Sequence, residues 1–171
     1  MAYEQMLKGV RQSFASGKTR PIEWRKKQLK SLLKMYEENE AIFTEALHKD
    51  LRKPRWEAVG AEIEFNKNDI IGCLRDIDHW TKPVNTERNL VTLLDKTVIK
   101  PEPYGVVLII GSWNYPLHIS LSPLAGAISA GNCAIIKPSE ISPNTATAIE
   151  QLLPRYLDSD CFKYKLIITP C

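Results

Sequence analysis

The feature that most constrains this chain is Gly105-Val-Val-Leu-Ile-Ile-Gly111, an unbroken apolar run closed by glycine at both ends. A strand with one wet face alternates apolar and polar residues. A run without alternation reads as a strand buried on both faces of a parallel sheet. Cys133 to Ile136 repeats the pattern. Between the two, Pro116 to Ala130 reads as a helix of small residues with Pro123 inside it, where a proline removes a backbone donor. Gly131-Asn132 supplies residues suited to stop it. Ser142-Pro143 opens another helix, with serine at the cap and proline in the first turn. Strand, helix, strand, helix is the βαβ unit that opens a parallel sheet.

Upstream the period changes to that of helices. Tyr3, Met6, Leu7, Val10 and Phe14 recur at three- and four-residue steps and end near Gly17. Pro21 opens a second helix with the apolar stripe Leu29, Leu32, Leu33, Tyr36, Phe43 and Leu47. A third runs from about Arg55 to Trp80, with Val59, Ile63, Ile70, Leu74 and Ile77 on one side and Pro83 beyond its end. Leu90 to Leu94 and Lys96 to Lys100 are short β-prone runs flanking Asp95, and read as a hairpin. Leu166 to Thr169 is a further strand-sized run near the end. The expected fold class is α/β: N-terminal helices and a β-hairpin, then the opening βαβ unit of an incomplete Rossmann-like parallel sheet. The corresponding segments are 1–83, 84–102, 103–162 and a divergent tail, 163–171.

Composition excludes several function classes. A net charge of +3 over 171 residues is too small and dispersed for a nucleic-acid surface. The basic run from Arg25 to Lys30 interleaves with leucines and reads as the wet face of an amphipathic helix. No apolar run approaches the ~18 residues needed to cross a bilayer, and the N-terminus lacks the apolar region of a secretory signal. Cys73, Cys133, Cys161 and Cys171 have neither CxxC spacing nor disulfide-framework density, which points to reduced thiols and a cytoplasmic setting. His48, His79 and His118 are scattered, with no metal-ligand spacing.

Two segments carry a resemblance. Pro103-Tyr-Gly-Val-Val-Leu-Ile-Ile-Gly-Ser-Trp-Asn-Tyr-Pro116 and Gly131-Asn-Cys-Ala-Ile-Ile-Lys-Pro-Ser-Glu140 resemble the aldehyde dehydrogenase superfamily in order and spacing. Lys49-Asp50-Leu51 and the stretch up to Pro103 resemble its class 3 branch, which includes the fatty aldehyde dehydrogenases. The resemblance covers about residues 1 to 162. It implies oxidation of medium- or long-chain aliphatic or aromatic aldehydes to carboxylic acids, with NAD, or NADP, as hydride acceptor.

Asn114 lies just past the first buried strand, where open parallel sheets present ligand-binding residues. Its side-chain amide is a donor suited to the oxyanion formed when a thiolate attacks an aldehyde, and the resemblance assigns that role to the matching asparagine. The plainer reading is a turn former before Tyr115-Pro116. Trp113 and Tyr115 read as packing around the turn. Lys137 and Glu140 follow the second strand; a cation and a carboxylate there suit the hydroxyls of an adenosine ribose, the use the resemblance implies. The plainer reading is a surface ion pair.

The resemblance also implies a nucleophilic cysteine and a general base well beyond Lys-Pro-Ser-Glu, in sequence contexts this chain lacks. Cys133 and Cys73 read as core thiols, and Cys161 and Cys171 have no helix N-terminus to activate them. The chain is therefore expected to be a truncated family member, inactive alone. The alternative is a non-catalytic isoform that associates with full-length subunits. The implied partners are an aldehyde substrate in the complete enzyme and another copy or a full-length homologue, with no nucleic acid and no membrane segment.

Overall fold

The computed structural model describes residues 2–87 and 95–165. Helix α1 (Ala2–Ala15) is followed by α2 (Ile22–Glu38) and α3 (Glu40–Leu51), then α4 (Arg55–Ala58), a π-helical turn (Val59–Glu64) and α5 (Phe65–Trp80). Strands β1 (Val84–Asn85) and β2 (Val98–Ile99) precede β3 (Val106–Ile110), α6 (Pro116–Ala130), β4 (Cys133–Lys137), α7 (Pro143–Tyr156) and β5 (Phe162–Tyr164).

The second predicted helix is two. Its stripe is buried as expected, with Leu29, Leu32, Tyr36, Phe43 and Leu47 sealed from solvent, each contributing on the order of 2 kcal/mol by burial. The chain nonetheless breaks at Asn39, whose φ of −125° and ψ of 23° are not helical. The Asn39 amide donates to the Met35 carbonyl at 2.9 Å and to the Tyr156 hydroxyl at 2.9 Å. Asparagine offers the backbone a local alternative to the helix, and here a tertiary partner fixes that choice. The basic run also divides. Lys27 and Lys30 are exposed, but Arg25 is buried and donates to the carbonyls of Thr19, Arg20 and Ser129. Its five-donor fork finds two carbonyls in the turn before α2 and one at the α6 C-terminus, and those bonds offset its burial.

Strands β3, β4 and β5 form a parallel sheet in that spatial order. Val106 pairs with Cys133 and Ile110 with Lys137; Ala134 pairs with Phe162. Strand β4 is buried from Cys133 to Ile136 as predicted, with Lys137 partly exposed at its end. Strand β3 is not: Leu108 and Ile110 are 62% and 63% exposed, while Ile109 points inward at 7%. Its position at the edge of the described sheet is the reason, since one face packs under α6 and the other meets α1 only at its start. Strand β5 starts earlier than the apolar run Leu166 to Thr169, which lies outside the described residues. The hairpin pairs Val84 with Ile99 and Asn85 with Val98; the predicted partner run Leu90 to Leu94 also lies outside them.

Gly131 ends α6 in the left-handed region at φ 85°. Gly131 and Asn132 then donate back to the Ile128 and Ala127 carbonyls, and the Asn132 side chain accepts from the Gly105 amide at 2.8 Å. That bond ties the start of β3 to the start of β4. Helices α1 to α7 and the sheet share one hydrophobic core. Among the described residues no helix is long and apolar enough to cross a membrane.

Candidate active-site turn and ribose pair

The turn after β3 is set by Gly111. A β-carbon there would stand 2.1 Å from the Ser120 hydroxyl of α6, so only glycine lets the helix come this close. Ser112, Trp113, Asn114 and Tyr115 then lead into Pro116, the first residue of α6. The Asn114 side chain is exposed, and its Oδ1 accepts from the Ser112 hydroxyl at 2.6 Å. With its acceptor engaged, the side chain has its amide N–H groups to offer. The backbone is anchored from two sides. Lys53 Nζ donates to the Asn114 carbonyl at 3.0 Å, and the Ser142 hydroxyl to the Trp113 carbonyl at 3.0 Å. The aromatic neighbours pack less than expected, since Trp113 is 52% and Tyr115 40% exposed. Tyr115 does hold the Lys53 ammonium 4.0 Å from its ring centre.

Lys53 and Glu62, which no sequence motif marks, form a buried ion pair at 2.6 Å. Glu62 is fully buried and Lys53 is 7% exposed. The second carboxylate oxygen of Glu62 accepts from the backbone amides of Leu117 at 2.9 Å and His118 at 3.2 Å. One carboxylate thus closes the α6 N-terminus and fixes the lysine that holds Asn114. The legible signal was position: Glu62 falls on the apolar stripe between Val59 and Ile63, where an acid is out of place unless paired.

A second carboxylate repeats the device. The serine cap predicted for α7 makes no capping bond. Asp50, at the end of α3, accepts from the Asn144 and Thr145 amides at 3.0 and 2.7 Å and from both side chains. Ser142 is free to hold Trp113 because Asp50 caps the helix in its place.

Lys137 ends β4 directly beside Ile110, so it and the Asn114 turn share the C-terminal edge of the sheet. Lys137 Nζ donates to Glu140 at 2.6 Å and to the Pro138 carbonyl at 3.3 Å. The lysine bond holds the Glu140 carboxyl below the usual carboxylate range. In this structure the two residues pair with each other at an open surface, Glu140 being 45% exposed. A donor and an acceptor so placed fit a ribose diol. The α6 N-terminus, where doubly wound folds commonly seat a dinucleotide diphosphate, is filled by Glu62.

The thiols lie elsewhere. Cys133 opens β4, at the opposite end of the strand from Lys137, roughly 13 Å away at about 3.3 Å per residue. Cys133 and Cys161 are fully buried, and Cys73 is partly buried on α5. Among the described residues no three His, Cys, Asp or Glu side chains gather to hold a metal.

The sequence matches the Aldehyde dehydrogenase family over residues 1–162. It is 47% identical over 160 residues to aldehyde dehydrogenase family 3 member B1 of Bos taurus, covering 94% of this chain and 34% of that protein. It is 43% identical over 159 residues to family 3 member A2 of Macaca fascicularis, covering 93% of this chain and 33% of that one. The fold superposes on substrate-bound AldH of Staphylococcus aureus with a TM-score of 0.93 and 39% identity, over 96% of this chain and 36% of that one. The chain thus spans about a third of the length of the relatives it matches. Its sheet, its anchored turn and these matches agree: the chain belongs to the aldehyde dehydrogenase family.

Proposed function

We propose that this chain carries the oxyanion-stabilising turn and the adenosine-ribose contacts of an NAD(P)-dependent aldehyde dehydrogenase acting on medium- or long-chain aliphatic or aromatic aldehydes. The observation that carries the reading is the shared edge: Asn114 beyond β3 and the Lys137–Glu140 pair beyond β4, with Ile110 and Lys137 adjacent in register. Asn114 donates its amide to the carbonyl oxygen as charge develops there. Lys137 and Glu140 exchange their mutual bond for bonds to the ribose hydroxyls. A glutamate in that role disfavours a 2′-phosphate, which favours NAD over NADP. The bound nicotinamide supplies the hydride acceptor.

The 171-residue chain by itself does not turn over aldehydes. Among the described residues Cys133 and Cys161 are buried at the far end of the sheet from the Asn114 turn and Cys73 is partly buried on α5, and aldehyde oxidation through a thioester needs a thiolate within reach of the oxyanion donor. Incubating the purified chain with NAD and an aliphatic aldehyde tests this, with a family 3 relative as positive control. No NADH is expected; NADH from a monodisperse sample refutes the reading. The free thiols fit a reducing compartment such as the cytoplasm.

The exposed edge favours a second reading, a non-catalytic chain that associates with full-length subunits. Leu108 and Ile110 present apolar surface on the edge strand of the described sheet. Co-purification with a full-length homologue at equal expression supports it, and its absence refutes it.

A further inference from the structure

We propose that Cys133 and Cys161 form a peroxide-oxidisable dithiol, a modification site that closes to an intramolecular disulfide at the base of the β4–β5 pair. The register carries the argument. Ala134 pairs with Phe162 in parallel, so the residues just before them, Cys133 and Cys161, are lateral neighbours on the same face of the pleat. The Ala134 amide donates to the Cys161 carbonyl at 3.0 Å, which clamps the two backbones together. Adjacent strands lie about 4.8 Å apart, inside the roughly 4.4–6.8 Å Cα separation a disulfide spans. Both thiols are fully buried, and each perturbs the other's ionisation. Cys73 lies on α5, outside this ladder.

The pair is polarised for stepwise oxidation. The hydrogen bond from Cys161 holds the Cys133 thiol below its ordinary range, with Lys18 assisting. The same bond, with burial, pushes Cys161 far above it. With Cys133 as the attacking sulfur, Cys161 is the resolving one. The Cys133 thiolate attacks one oxygen of hydrogen peroxide; the O–O bond breaks, a sulfenic acid forms, and hydroxide leaves to take up a proton as water. The Cys161 sulfur then attacks the sulfenic sulfur. The S–S bond forms, the S–O bond breaks, and a second water leaves with the Cys161 proton. Two thiols give two electrons, and one peroxide is reduced to two waters. Access requires the turn at Asp158 to Cys161 to open. That turn is held by the Cys161 and Phe162 amides on the Asp158 carbonyl and by the Lys18–Asp158 ion pair at 2.5 Å.

The test uses the wild-type chain, exposed to hydrogen peroxide under native conditions and mapped by non-reducing peptide mass spectrometry. The expected product links the Cys133 and Cys161 peptides, reverts with dithiothreitol, and melts roughly 5–15 °C higher than the reduced chain. In Cys161→Ala the link is absent and Cys133 proceeds to sulfinic acid. The proposal is overturned if Cys73 oxidises while both buried thiols persist, or if Cys133 links to Cys171 instead. The wild-type map decides the matter even if the variant does not fold.

Discussion

Replacing Glu62 by glutamine keeps the side chain's shape and removes its charge at a fully buried position. The carboxylate serves three donors: Lys53 on one oxygen, and the Leu117 and His118 amides on the other. Glutamine has one acceptor oxygen and an NH2 group, so a donor must face either the ammonium or the two amides. Whichever way it turns, Lys53 stays buried with its main partner weakened, or the α6 N-terminus loses its cap. Breaking a buried ion pair by removing one partner costs about 3–5 kcal/mol. Total stability is on the order of 5–15 kcal/mol, so the loss is a large share, equivalent to a fall in Tm of roughly 6–20 °C. Urea unfolding followed by tryptophan fluorescence measures it. Lys53→Met gives a loss of similar size, and the double variant loses less than the sum, with coupling of about 1–3 kcal/mol. Amide exchange at Leu117 and His118 quickens in Glu62→Gln. A loss under about 1 kcal/mol, or strict additivity, would falsify the claim that this pair fixes the turn.

Other perturbations probe separate parts of the structure. Asp50→Ala removes the α7 cap and costs about 1–2 kcal/mol; faster exchange at the Thr145 amide is the readout, and an unchanged rate rejects the cap. Gly131→Ala forces a left-handed β-carbon to within 2.5 Å of the Arg25 guanidinium and lowers stability by about 2 kcal/mol in the same urea assay. The depressed Glu140 carboxyl means its ion pair is intact above the ordinary carboxylate range and is lost as pH falls through the lowered value. Carbon-detected titration shows this, and in Lys137→Met the Glu140 midpoint moves up.

The parallel strands, α6 and its glycine stop were legible because each follows from local pattern. Gly105 to Gly111 has one sensible secondary structure, and Gly131-Asn132 one sensible role. What the sequence hid depends on partners distant along the chain. Asn39 breaks a well-patterned helix because Tyr156 waits for its amide, and Arg25 leaves the wet face because carbonyls of the Thr19–Arg20 turn and of Ser129 in α6 converge on it. Ser142 looked like a cap by position, yet Asp50 displaces it from α3. The exposure of Leu108 and Ile110 follows from neighbours in the sheet, which no run of apolar residues reports. The site divided in the same way. Asn114, Lys137 and Glu140 are candidates drawn from motif and strand end, whereas the Lys53–Glu62 pair that anchors Asn114 emerges only from the fold.

The measurement that tests the central claim most directly is an NMR titration of the labelled chain with NAD. Weak binding, in the millimolar range (about −4 kcal/mol), is expected, with shifts gathered at Lys137 to Glu140 and at the Asn114 turn, and lost in Lys137→Met. No shift at saturating NAD, or shifts centred away from the C-terminal edge of β3 and β4, would contradict the account.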